Sequence, residues 1–204
     1  INGPISKKHF LKGKFNGITE FLSKKTKQKN NEVMLIYNKS LSVSPVTTHI
    51  PIKDVAKKIT SNVIIKKITT IDKFYKSVMN KSPKFAVTGL NPHCETRYKN
   101  SEENLAIKPA IKICQKKKIK VKGPFAADTL FIKNNLKNID VIIGMYHDQV
   151  LTPIKTLYNF DAINITLGLP FIRISPDHGP NSKMLGKKKS SPNSLKEALI
   201  FLNK

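Results

Sequence analysis

Cysteine is scarce in this sequence. Cys94 and Cys114 are its only two. They form no C-x-x-C pair, and neither has the spacing of a structural zinc site. A disulfide framework is thereby excluded, and a reducing, cytoplasmic location is the expectation. Cys114, among apolar residues of a predicted helix, is assigned to the core. Long apolar runs are also missing. Nothing approaches the ~20 residues of a membrane-spanning helix, and Ile1-Asn2-Gly3-Pro4 leads into polar sequence rather than into a signal peptide. No membrane partner is expected. The chain opens on Ile instead of Met, so a segment upstream is expected. Acidic residues are few, 13 against 37 basic ones, and the formal charge is +24. Such a charge ordinarily points to nucleic acid or anionic lipid. The details point elsewhere. Arg97 and Arg173 are the only arginines, whereas base-edge readers rely on the guanidinium fork. The lysines are spread along the whole chain without interleaved aromatics. They are read as solvated surface, with no nucleic-acid partner, in a field that draws in small anions such as phosphorylated substrates.

What is present is an alternation of strand-like and helix-like stretches over 204 residues, enough for one substantial core or two modest lobes. Val33–Tyr37, Lys84–Leu90, Asp140–Met145 and Ala162–Leu167 read as strands. Pro51–Ile59, Ile71–Met79 and Ser194–Leu202 read as helices. Ser101 is a candidate N-cap, with Glu102 and Glu103 in the first turn of a helix that Pro109 should kink or break. The alternation predicts an α/β protein with a mainly parallel sheet, whose ligands sit beyond the carboxyl ends of the strands. His49 lies in the loop before the Pro51 helix, and His93 and His147 follow predicted strands. Neutral imidazoles at equivalent loop positions suit Zn²⁺, Co²⁺ and related metals, with a coordination position left open for substrate. A lone loop histidine is more often a capping or hydrogen-bonding residue, and their wide spacing means that any metal site is assembled in three dimensions.

Five motifs occur in order. Gly89-Leu90-Asn91-Pro92-His93 is followed by Gly123-Pro124-Phe125-Ala126-Ala127-Asp128-Thr129 and by Gly144-Met145-Tyr146-His147-Asp148-Gln149. Then come Asn164-Ile165-Thr166-Leu167-Gly168-Leu169-Pro170-Phe171-Ile172-Arg173 and Asp177-His178-Gly179. The series resembles the 4-hydroxythreonine-4-phosphate dehydrogenase family from Gly3-Pro4 through the closing helix. The resemblance implies a two-domain α/β fold like that of isocitrate and isopropylmalate dehydrogenases, in a cytoplasmic homodimer with the active site at its interface. It also implies that about the first third of the enzyme, most of the N-terminal domain, is missing. Residues 10–160 would form the substrate, metal and dimerisation domain. Residues 161–204 would return to the NAD-binding domain.

By resemblance His49, His93 and His147 are metal ligands, the third coming from the partner subunit, with Zn as the expected ion and Co or Mg as others. Thr19, Lys155, Asn164 and Arg173 fall on the substrate. Lys155, Asp148 and Asp128 are the catalytic candidates, the two carboxylates as groups orienting the imidazoles. Each carboxylate also reads as a helix cap, and Lys155 by itself as a surface lysine. Asp177, His178, Gly179 and Gly186 resemble a loop that holds the adenosine part of NAD (or NADP), and also read as an ordinary Pro/Gly turn. The implied reaction oxidises and decarboxylates 4-phosphooxy-L-threonine to 3-amino-2-oxopropyl phosphate in pyridoxal phosphate (vitamin B6) synthesis, and this piece alone should turn over little. Two departures stand out. Ile18 replaces the family's histidine before Thr19, which opens the alternative of a related phosphorylated hydroxy acid such as threonate 4-phosphate. The stretch around Cys94-Glu95-Thr96 is altered as well, leaving Cys94 to packing or to an approach to the metal. An inactive basic binding protein is the remaining alternative.

Overall fold

The computed structural model describes residues 1–3, 5, 15, 17–28, 31–94, 98–179, 182–184, 186–187 and 189–203. Pro4, Asn16, Glu95, Thr96 and Arg97 of the sequence reading lie outside them. Along the chain, α1 (Ile18–Lys25) precedes β1 (Val33–Tyr37) and β2 (Ser42–Pro45). A 3-10 turn (Ile52–Asp54) leads into α2 (Val55–Lys58), α3 (Ser61–Val78) and β3 (Phe85–Thr88). A π-helical turn (Glu103–Ile107) runs into α4 (Lys108–Lys116), then β4 (Val121–Phe125), α5 (Ala127–Leu130) and β5 (Val141–Gly144). The chain continues with α6 (His147–Tyr158), β6 (Ile163–Leu167), β7 (Arg173–Pro176) and α7 (Asn193–Leu202). It divides into two compact units, one of residues 1–38 and 157–204 and one of residues 39–156.

In the unit of residues 39–156 the strands lie in the order β4-β3-β5-β2, all parallel. β2, β3 and β5 are buried at every position, as parallel strands covered on both faces must be. In α3, Ile64, Ile68 and Ile71 are fully buried, at the four-and-three spacing of one helix face. That helix begins ten residues before its predicted start at Ile71, because Thr60 caps it by accepting from the Val63 N–H at 3.3 Å. α3 packs on α4, where Ala110, Ile111 and Cys114 are buried. Pro109 causes no break within a helix. The π-helical turn of Glu103–Ile107 runs directly into α4, of which Pro109 is the second residue, so the hydrogen-bond pattern changes just ahead of the proline while the helical run continues.

The unit of residues 1–38 and 157–204 pairs its strands antiparallel, in the order β1-β6-β7. The expected mainly parallel sheet thus describes the other unit and not this one. Gly168 turns the chain after β6 at φ +80°, and a Cβ there would run into the Asn31 carbonyl. Only glycine suits that position. Ser194, at the start of α7, accepts from the Asp177 N–H at 2.8 Å and donates to the Ala162 carbonyl at 2.6 Å. The Phe201 ring meets Tyr37 edge-on, 5.1 Å between centroids.

Truncating the α3 seam should be felt globally. Ile68→Ala is expected to cost about 2–5 kcal/mol in urea unfolding, whereas Lys57→Ala on the exposed side of α2 should stay within about 0.5 kcal/mol.

Candidate functional site

Parallel strands send their carboxyl ends to one edge of the four-stranded unit, and the histidines leave from there. His49 follows β2 by four residues, His147 opens α6 three residues after β5, and His93 follows β3 by five. The rings of His49 and His147 are neighbours, with centroids 5.8 Å apart and planes tilted by 41°. Asp148 Oδ1 lies 2.6 Å from His147 Nδ1, a carboxylate contact of the kind that orients imidazoles.

His93 stands apart from this pair. Its Nδ1 is 3.9 Å from Asp128 Oδ2, too long for a hydrogen bond. Among the described residues, no group of three His, Cys, Asp or Glu side chains is close enough to hold a metal. Asp128 is the second residue of α5, whose N-cap is Ala126. Lys155 lies two turns along α6 from His147 and is half-buried.

The His93 loop is held by a residue that sequence reasoning passed over. Glu103, 1% exposed, accepts from the backbone N–H groups of Leu90 and Asn91 at 2.8 Å each and from the Asn91 side chain at 2.9 Å. Burial works against its charge, but the hydrogen bonds from Asn91 and Leu90 outweigh it and hold the carboxyl below its usual range. Cys94 Sγ and Glu103 both press on Gly89, where a Cβ would stand 2.6 Å from the sulfur. Cys94 is thus packed against the strand end. Its thiol is raised, first by burial and further by Glu103 and Asp128, against a lowering backbone hydrogen bond from Gly89.

The other unit brings Thr19 and Arg173 together. Arg173 is buried. Its Nε donates to Asn2 Oδ1 at 2.7 Å and its Nη1 to Thr19 Oγ1 at 3.2 Å and Thr166 Oγ1 at 3.0 Å. Burial lowers its pKa and the Glu20 carboxylate raises it. The antiparallel register Thr166↔Arg173 explains the Thr166 contact. Asn2, Glu20 and Thr166 were not legible as neighbours, because strand pairing across the Gly168 turn and the path of the N-terminus decide them. Asn164 lies two residues before Thr166 on β6, and its Oδ1 is buried with no hydrogen-bond partner among the described residues. Ile18 is the first residue of α1, beside Thr19.

Of the residues proposed for NAD, Asp177 is buried and His178 is exposed with its ring 6.5 Å from that of Phe160. Among the described residues, nothing lies within 4 Å of where a Cβ at Gly179 or Gly186 would stand.

The family model described as "Pyridoxal phosphate biosynthetic protein PdxA" matches residues 1–201. A 4-hydroxythreonine-4-phosphate dehydrogenase of Sulfurihydrogenibium sp. (strain YO3AOP1) is 41% identical over 204 residues, covering 98% of this chain and 62% of the relative. One of Bradyrhizobium diazoefficiens is 39% identical, covering 98% and 60%. The crystal structure of a 4-hydroxythreonine-4-phosphate dehydrogenase from Klebsiella pneumoniae has a TM-score of 0.79 at 31% identity, covering 97% of this chain and 62% of that one. The chain spans a little over three fifths of the curated relative from Sulfurihydrogenibium.

Because Glu103 has a depressed pKa in the fold, it adds stability that is present above its unfolded pKa and is lost as pH falls through the folded one. Thermal melts of the protein and of Glu103→Gln should therefore differ most at neutral pH, with the variant less stable, and should converge as the pH is lowered into the acid range. A gap that stays constant with pH would show that the carboxylate is not charged at neutral pH.

Proposed function

This chain belongs to the pyridoxal phosphate biosynthetic protein PdxA family, and from that premise we propose that the whole protein is an NAD-dependent 4-hydroxythreonine-4-phosphate dehydrogenase. In this reading it oxidises and decarboxylates 4-phosphooxy-L-threonine to 3-amino-2-oxopropyl phosphate as a homodimer. The observations that carry the proposal are the family match over residues 1–201 and the placing of three histidines on the loops that follow β2, β3 and β5.

His49, His93 and His147 would hold a divalent metal, Zn by preference, with the third reaching from the second copy. When bound, that ion supplies Lewis acidity, lowering the pKa of the substrate hydroxyl and stabilising negative charge as CO₂ leaves. Asp148 would orient the His147 ring through Nδ1. Arg173 Nε and Nη1 are engaged by Asn2, Thr19 and Thr166, and Nη2, without a hydrogen bond among the described residues, would meet a phosphate or carboxylate oxygen. Asn164 Oδ1, a buried acceptor without a partner among the described residues, suits a substrate hydroxyl or ammonium donor. Lys155 adds a point charge for the anion. Asp177, His178, Gly179 and Gly186 would take the adenosine part of NAD, which accepts the hydride. Residues 10–160 would then contribute the substrate and metal domain, and 161–204 would return to the cofactor domain.

A second reading rests on Ile18. An apolar residue beside Thr19 at the start of α1 removes a polar contact that the family's histidine supplies, which favours a relative of the substrate such as threonate 4-phosphate.

The test is made in a polypeptide of the relatives' full length that contains these residues. NADH absorbance should rise with 4-phosphooxy-L-threonine and stop on chelation. Metal content should fall in His147→Ala. Arg173→Lys should lower kcat/KM about 10- to 100-fold, the equivalent of one charged hydrogen bond of roughly 1.5–3 kcal/mol. Faster turnover of threonate 4-phosphate would select the second reading. A rate untouched by chelator would overturn the metal's role.

A further inference from the structure

Gln149 ends the Tyr146-His147-Asp148-Gln149 stretch, and neither the sequence nor the proposed reaction gives it a task. Its side chain makes three hydrogen bonds. Oε1 accepts from the Met145 N–H at 2.7 Å and from Thr88 Oγ1 at 2.8 Å. Nε2 donates to the Gly89 carbonyl at 2.8 Å. Thr88 and Gly89 close β3 and begin the His93 loop, whereas Met145 joins β5 to the His147 end of α6. One amide therefore ties the strand end leading to His93 to the helix start carrying His147. On its other side Met145 is tied to the His49 segment, since its carbonyl accepts from Thr47 Oγ1 at 2.8 Å and from the Thr47 N–H at 3.1 Å. The connected path runs Thr47, Met145, Gln149, Gly89, with each proposed ligand two to four residues from it.

The chemistry of the position calls for glutamine. The site needs an acceptor for two donors and a donor for one carbonyl, which a carboxylate or a thioether cannot supply together. Gly144 lets α6 start close enough, because a Cβ there would collide with Val150 and come within 3.2 Å of Gln149 Oε1. Beyond Gln149 the two arms have separate anchors. Glu103 fixes the His93 loop through Leu90 and Asn91, and Thr47 fixes the His49 side through Met145. Gln149 joins them.

We propose that Gln149 is a positioning residue for the metal ligands: it sets the placement of the His93 loop relative to the loops of the same chain that bear His49 and His147. This inference rests on the metal reading given above. Loss of Gln149 leaves the His49 and His147 loops tethered by Thr47 and lets the His93 arm drift.

The probe is Co²⁺ alone, titrated into the metal-free protein of the relatives' full length, with affinity and visible absorption as readouts. Gln149→Met keeps the side-chain length and removes all three hydrogen bonds. It should weaken Co²⁺ binding about 10-fold, at the lower end of what outer-shell changes cost, and alter the absorption of the bound ion. In the metal-free protein it should speed amide exchange at Leu90 and Asn91 more than in α3. A merely structural role would lower the melting temperature without changing the spectrum of the folded, metal-loaded protein. Should Gln149→Met fail to fold, Thr88→Val removes one donor to Oε1 at constant volume, and should show the same changes at a smaller, few-fold size. Unchanged affinity, spectrum and exchange in a folded variant overturn the inference. If the parent protein binds no Co²⁺, or binds it equally well as His147→Ala, the metal reading itself falls. Unchanged exchange at Leu90 and Asn91 would then overturn the tether as well.

Discussion

In the four-stranded unit, β5 lies between β3 and β2 and pairs parallel with both, so that Ile143 stands opposite Val87 on one side and Ser44 on the other. The histidine geometry depends on that pairing. Because the strands point the same way, their last residues are level, and the loops bearing His49, His93 and His147 leave from a single edge. Slippage by one residue would send every side chain of a strand to the opposite face, and strands buried at every position allow no such slip. Hydrogen bonding continues past the strands. Val46 N–H donates to the Gly144 carbonyl at 2.7 Å and Gly89 N–H to the Phe125 carbonyl at 2.9 Å. The loops thus begin as extensions of the sheet, and only their last few residues are set by side chains.

Where side chains take over, the three acidic groups near the histidines differ in kind. Asp148 and Asp128 are exposed and face histidines, so solvent screens whatever field they exert. Glu103 is buried and satisfied by N–H donors, and it acts on the backbone of the loop rather than on a ring. A buried carboxylate with backbone donors is costly to remove, because its partners would be left unpaired. The His93 loop needs such an anchor. His93 and Cys94 both take positive φ, 57° and 56°, which non-glycine residues adopt only when their surroundings demand it.

The loops and the residue types on them could be read from the sequence, because strand-like runs ending in Gly89 and Gly144 mark where a parallel sheet delivers its ligands. The bonds that arrange those loops could not. Gln149 meets Thr88 across 61 positions and Gly89 across 60, a match decided by strand order alone. Local pattern failed in one helix for a simpler reason. The β-branched run Val63-Ile64-Ile65 lowers helix propensity, and the sequence reading starts the helix only at Ile71, yet Ile64, Ile68 and Ile71 share a face and Thr60 caps the helix. Tertiary burial overrode propensity there. Arg173 stood out as one of two arginines in the chain. Its partners followed only from the pairing of β6 with β7.

Those partners decide what the guanidinium can do. Asn2, Thr19 and Thr166 are neutral oxygens. They orient the fork without cancelling its charge, and the Glu20 carboxylate offsets part of the lowering that burial imposes on its pKa. A buried cation oriented by neutral groups keeps its attraction for an anion and gives it direction, whereas a cation already paired bidentate with a carboxylate has spent it. The dispersed lysines act differently. With 37 basic against 13 acidic residues, they raise the local concentration of any small anion, but a diffuse, salt-screened field cannot tell one phosphate ester from another. Encounter belongs to that field, and selection to the few groups whose positions the strands dictate.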